Sequence, residues 1–180
     1  MIIWCASYPK SGNTWIRAII SSLIYSKDGK FKFDMLRKVS LFPKRFYFKE
    51  FTNDYSDLKE ISSYWIEAQE KINSDKKIRL FKTHNGNYNF LGNDFTDTNN
   101  TIGVIYIVRD PRNIIASISN HYQLDLKQSA DFLLDEKRFL FNKNDPNDLT
   151  EENIITLLGS WKTHYNSWKI SSNSIIIRYE

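Results

Sequence analysis

The 180-residue chain has a single cysteine, Cys5, and so no second thiol with which to close an internal disulfide or build a thiolate metal cluster. A reducing, cytoplasmic setting is the expectation that follows. No apolar run approaches the roughly 20 residues of a spanning helix. The N-terminal stretch Ile2–Ser7 is interrupted at Tyr8-Pro9-Lys10, so neither a membrane span nor a targeting peptide is expected. Internal repeats and linker-like tracts are also missing, which predicts one domain over residues 1–180. The excess of charge is slight: a formal +4 and a pI near 9.0 suit an anionic ligand, and suit an ordinary solvated surface as well. With 41% hydrophobic residues the chain is long enough to bury one core.

What is present is a short junction between two apolar runs. Tyr8-Pro9-Lys10-Ser11-Gly12-Asn13-Thr14-Trp15 separates the strand-like Ile2–Ser7 from a helix-like run at 14–25. The first backbone N–H groups of a helix lack intrahelical partners and point toward whatever precedes them, so an anion is favoured there. Gly12 lets the backbone turn with no Cβ in the way, Ser11 and Thr14 add hydroxyl donors, and Lys10 adds a mobile positive charge. The residue order excludes a Walker A loop, in which lysine directly follows the second glycine, because Lys10 precedes Gly12. An ordinary ATPase or GTPase is set aside on that ground, and a nucleotide kinase also lacks an evident carboxylate pair for a metal. Pro, Lys, Ser, Gly and Asn are common turn residues, so a plain surface turn is the competing reading.

Periodicity places the other elements. In the helix at 14–25, Ile16, Ile19, Ile20, Leu23 and Ile24 are expected to pack, with Arg17 on the exposed flank. Residues 31–51 interleave aromatics with Lys and Arg without a steady period, which fits short helices or a lid. Helical spacing returns at 57–72 through Leu58, Ile61, Trp65, Ala68 and Ile72. A strand at 78–81 leads into Lys82-Thr83-His84, and a polar Asn/Gly-rich loop runs to Thr101. A β-branched strand at 102–108 precedes Arg109-Asp110-Pro111 and a helix at 112–122. Residues 142–147 read as an exposed loop. Asp148 with Glu151 forms a capping pattern for a helix carrying Leu158, Trp161, Tyr165 and Trp168 on one face, and 174–179 reads as a last strand. The alternation predicts an α/β fold, three layers with a central parallel sheet, whose ligands bind at the carboxyl ends of the strands.

Further candidate sites fall at those strand ends. His84 could take a proton near neutral pH, although a rim histidine is commonly a surface or hydrogen-bonding residue. Arg109 offers a planar fork suited to phosphate, with Ser117 one helix face away; the rival reading pairs Arg109 with Asp110 or another carboxylate. Two phosphate-competent rims suggest an adenine nucleotide with phosphate at both ends, its base stacked on Trp15 or Tyr179, though Trp15 also fits a core aromatic. His121 and His164 read as packing or surface residues. Lys30, Lys32, Arg37, Lys38, Lys44, Arg45 and Lys49 among aromatics could follow a nucleic acid, but such stretches are more often amphipathic surface, and no nucleic acid partner is expected.

The segment Tyr8 to Trp15 resembles the 5′-phosphosulfate loop of sulfotransferases that use 3′-phosphoadenosine 5′-phosphosulfate (PAPS). Tyr106-Ile107-Val108-Arg109-Asp110-Pro111-Arg112-Asn113, continuing to Ser117, resembles that family's 3′-phosphate motif, with Asn113 where many members have Asp. Lys82-Thr83-His84 is similar to its catalytic strand end, and Gly159-Ser160-Trp161 and Arg178-Tyr179-Glu180 to later segments. The resemblance implies a P-loop-like phosphosulfate-binding loop in which Lys10, Ser11, Gly12, Asn13 and Thr14 hold the 5′ end. It places Trp15 and Tyr179 on adenine, Arg109 and Ser117 on the 3′-phosphate, His84 as the base that activates the acceptor, and Lys82 as a charge stabiliser at the transferring group, and in the mechanism that follows Lys10 neutralises charge on the leaving phosphate oxygen. It implies transfer of a sulfuryl group to a hydroxyl or amine of a small molecule or glycan, with 3′-phosphoadenosine 5′-phosphate (PAP) as product and no metal. The family's later Arg-Lys-Gly motif does not occur in this sequence, so the expected chain is C-terminally incomplete. A PAPS- or PAP-binding module of impaired or absent activity is the alternative.

Overall fold

Strand-length runs with few charged residues belong in a sheet covered on both faces, and the runs at the N-terminus and before Arg109 become adjacent parallel strands. The computed structural model describes residues 1–141, 154–169 and 173–180. In chain order the elements are β1 (Ile2–Ser7), α1 (Asn13–Tyr25), a 3-10 helix (Phe33–Lys38), β2 (Ser40–Leu41), α2 (Arg45–Phe48), α3 (Leu58–Ser63) and α4 (Trp65–Asn73). Then come β3 (Arg79–Thr83), β4 (Asn89–Phe90), β5 (Asn93–Asp94), β6 (Thr101–Val108), α5 (Pro111–Tyr122) and α6 (Leu126–Leu134). Last are β7 (Phe139–Leu140), β8 (Thr156–Leu157), α7 (Trp161–Lys169) and β9 (Ser174–Arg178). The main sheet runs β2-β3-β1-β6-β9 with every neighbouring pair parallel. The chain builds outward from β1 to one side and returns to the other, so the ends of β3, β1 and β6 open onto one crevice.

Strand alternation explains the layers. Ile2, Trp4 and Ala6 of β1 share one cluster with Phe81, Val104 and Tyr106, covered by Trp65 and Ala68 of α4 and Trp168 of α7. Cys5 points the other way and packs with Leu80 and Val39, with Ile3, Ile105 and Ile20 of α1 against them. The first face is strongly aromatic: Trp4 lies within 5.3–6.2 Å of the rings of Phe42, Phe81, Phe95 and Trp168. Phe42 and Phe48, from the basic-aromatic stretch, are fully buried there.

Several elements differ from expectation. On α1, Ile19, Leu23 and Ile24 are exposed, whereas Arg17 turns inward and its Nη2 donates to the carbonyls of Leu36 and Val39 at 2.7 and 2.8 Å. The 3-10 helix lies along that flank and its end carbonyls need a donor, which a guanidinium supplies and an isoleucine cannot. The helix at 57–72 is two helices, α3 and α4, broken at Tyr64, whose ring stacks on Phe51 at 5.4 Å. The loop before Thr101 contains the hairpin β4-β5, turned at Leu91 and Gly92, both with positive φ as a tight two-residue turn requires. Leu158 lies ahead of α7, not on it, buried with Ile114, Ile118, Phe132 and Leu133. Ser160 starts α7: its Oγ accepts from Thr163 N at 3.1 Å while Thr163 Oγ1 accepts from Ser160 N at 3.0 Å. The 142–147 loop and the Asp148/Glu151 pattern lie outside the described residues.

α6 was not anticipated, although Asp125 and Gln128 form a full capping box at its start. Replacing Asp125 with alanine is expected to lower stability by about 1 kcal/mol in a urea titration, and an unchanged midpoint would refute the cap's contribution. No described helix is long and apolar enough to cross a membrane.

Candidate active site

Between β1 and α1 the backbone makes two left-handed steps, at Lys10 (φ 66°) and Gly12 (φ 90°), which curl the loop around the start of the helix. Such a curl turns successive amides toward a shared concavity, the arrangement that binds anions. Asn13 braces it from within: its buried Nδ2 donates to the Cys5 carbonyl at 2.9 Å and to Ser7 Oγ at 3.1 Å. Ser11 is buried beneath the loop, and its Oγ has no hydrogen-bond partner among the described residues. Gly12 is needed for a second reason besides its φ, since a Cβ there would stand 2.1 Å from the ring of Tyr179.

His84 follows β3 directly, and the pairing of β3 with β1 brings it to the end of the neighbouring strand. Its Nδ1 lies 2.7 Å from the Ser7 carbonyl and 3.4 Å from Ser7 Oγ. A carbonyl only accepts, so Nδ1 carries the proton and Nε2 keeps a free lone pair. Burial, then the charge of Lys82, hold the His84 pKa well below the usual histidine value, against the pull of the Ser7 carbonyl. Lys82, within β3, is brought down to about 8 by burial and then by Arg17.

Arg109 emerges from β6 and is held by three contacts. Its Nε donates to Glu180 Oε1 at 2.9 Å, its Nη1 donates to the Lys10 carbonyl at 3.1 Å, and its guanidinium lies 4.8 Å over the Tyr179 ring. Asp110 caps α5 and pairs with Arg112, so the carboxylate that meets Arg109 is Glu180. Glu180 also accepts from Asp110 N at 3.1 Å and from Asn113 Nδ2 at 2.8 Å, and these three donors hold its pKa low, the backbone bond to Asp110 first. A carboxylate thus rests at the positive end of α5.

One cleft of about 530 Å³ gathers Lys10, Gly12, Asn13, Thr14, Lys82, His84, Arg109, Ser117 and Tyr179. Two expected residues stay outside its lining: Ser11, buried under the loop, and Trp15, 66% exposed on α1. His121, Tyr122 and Leu140 line it without having been anticipated. The first two follow Ser117 by about one helical turn on α5, a spacing that could have flagged them. His164, by contrast, is fully buried. Among the described residues no group of three or more His, Cys, Asp or Glu is placed to hold a metal ion.

A family model described as the sulfotransferase domain matches residues 2–180. The fold is similar to the crystal structure of mouse sulfotransferase SULT7A1 complexed with PAP, at 20% sequence identity and a TM-score of 0.52. That similarity covers 99% of this chain and 50% of the other, so the chain spans half the length of the structure it matches. No match was found among curated proteins.

Proposed function

The chain belongs to the sulfotransferase domain family, and from that premise we propose that it transfers a sulfuryl group from PAPS to a hydroxyl or amine of a small-molecule or glycan acceptor. The observation that carries the reading is the single cleft in which the loop after β1, the base candidate after β3 and the arginine after β6 meet. The residues fit such a donor: a left-handed loop with Lys10 for its 5′ end, Arg109 and Ser117 for its 3′-phosphate, and the Tyr179 ring for its base. When bound, PAPS supplies the sulfuryl group. His84 Nε2 takes the acceptor's proton as the new bond to sulfur forms, Lys10 offsets charge on the departing phosphate oxygen, and Lys82 offsets charge on the transferring group. Ser7 holds the His84 ring in the tautomer that this role requires.

A second reading is favoured by Glu180, whose carboxylate engages Arg109, Asp110 N and Asn113, donors a 3′-phosphate would use. In it the chain binds the nucleotide and turns over poorly or not at all. Calorimetric titration with PAP, paired with transfer from labelled PAPS to a panel of phenol, sugar and amine acceptors, separates the two. Binding with transfer supports the first reading, binding without transfer supports the second, and absence of PAP binding overturns both. Replacing Arg109 with methionine is expected to weaken PAP binding about 10- to 100-fold, the loss of one or two charged hydrogen bonds. An unchanged dissociation constant would remove Arg109 from the site.

A further inference from the structure

The segment 84–87, which carries His84, is held from one side by α7. His164 Nε2 lies 3.1 Å from the His84 carbonyl, Trp168 Nε1 donates to the Asn85 carbonyl at 3.0 Å, and Ser167 Oγ accepts from Asn87 N at 3.0 Å. Among these three, His164 reaches the backbone of His84 itself. Its protonation pattern is fixed by its partners. The His84 carbonyl only accepts, so Nε2 carries hydrogen, and Nδ1 then accepts from the Tyr106 hydroxyl at 2.9 Å. The ring is fully buried and meets Tyr8 edge-on at 5.5 Å, so it touches the first residue of the loop after β1 as well. Burying a two-nitrogen ring is costly unless both nitrogens are bonded, and an apolar side chain would fill the same volume without that cost.

We infer that His164 is a positioning residue for His84: through Tyr106 and its own Nε2–H it fixes the backbone from which the His84 ring reaches the Ser7 carbonyl. The backbone of His84 is held by α7 and its ring by β1, so the Nε2 lone pair is aimed by two separate elements. Of its two bonds, the one to the His84 carbonyl requires hydrogen on Nε2 of His164, while the Tyr106 hydroxyl can serve Nδ1 as either donor or acceptor. The inference rests on the reading of His84 as the base, but its geometric content can be measured without turnover.

The test is ¹⁵N NMR of the histidine-labelled chain, which reports the tautomer of each ring. In the parent chain His84 is expected as the Nδ1–H form. His164→Leu should mix its tautomers and lower kcat about 10- to 100-fold with PAP affinity unchanged, because misplacement of a catalytic group by about an ångström acts on rate. His164→Gln, whose amide N–H can still donate to the His84 carbonyl, should restore the Nδ1–H form and most of kcat. If His164→Leu does not fold, Tyr106→Phe removes only the hydroxyl that holds Nδ1 and should shift the His84 signals in the same direction. His84 signals unchanged in His164→Leu or Tyr106→Phe, or a glutamine no better than leucine, would overturn the positioning role. A parent chain that transfers no sulfuryl group while the tautomer series behaves as described would instead count against the base assignment alone.

Discussion

Replacing His84 with alanine is expected to lower turnover by ~10² to 10⁴ while leaving PAP affinity nearly unchanged, because a general base acts in the transition state and not on the bound nucleotide. The geometry makes the expectation specific. Nδ1 is committed to the Ser7 carbonyl at 2.7 Å, so Nε2 is the nitrogen that can accept a proton, and the ring is already neutral at physiological pH because burial and Lys82 oppose its charging. As pH falls, rate should be lost only when Nε2 is protonated, so the acid limb should lie below 6.5, the ordinary histidine value. As pH rises through about 8, Lys82 loses the charge proposed to steady the transferring group, and on that proposal rate should fall again. Full turnover in His84→Ala would end the assignment of the base, and a basic limb near the ordinary lysine value would take Lys82 out of its role.

Replacing Trp4 with alanine should lower the unfolding free energy by about 3–5 kcal/mol, the range for deleting a buried aromatic. Trp4 sits in the middle strand of the sheet, fully buried among Phe42, Phe81, Phe95 and Trp168, so few neighbours are free to collapse into the gap. Its Nε1 also donates to Thr101 Oγ1 at 2.7 Å, in a chain that continues through Thr96 to the buried Gln69, and the truncation deprives the Thr101 hydroxyl of that donor. Trp4→Phe keeps most of the apolar volume and should lose less. Guanidinium titration of both variants decides the point, and a loss below about 1 kcal/mol in the alanine variant would mean that this cluster does not carry the shared core.

The parallel sheet could be read in advance because two of its inner strands are uncharged, mainly apolar runs, Ile2–Ser7 and the isoleucine- and valine-rich 102–108, where local preference and tertiary burial agree. The ends of those strands could be read for the same reason, and most of the expected site residues meet in one cleft. The misses fall where tertiary context decides. β7 and β8 are two residues each and exist only as partners of one another. Arg17 and the isoleucines of α1 carry an apolar pattern that does not reveal which flank meets the 3-10 helix and its carbonyls. Tyr64 has ordinary helical character and leaves the helix in a setting that includes a stacking partner, Phe51, thirteen positions away. His164 looked like packing because nothing local in sequence announces the two long-range bonds that its ring makes.

The bond from Arg109 Nη1 to the Lys10 carbonyl joins the loop after β1 to the start of α5, so the two anchoring points proposed for the nucleotide form one linked receptor. A ligand charged at both ends then behaves as a chelator. Once either end docks, the other is delivered at a high local concentration to a site already oriented by the first, and the ordering entropy of the loop is lost once instead of twice. The affinities of the separate ends should therefore not add up to that of the whole, and a nucleotide with one phosphate should bind more weakly than the loss of a single contact accounts for.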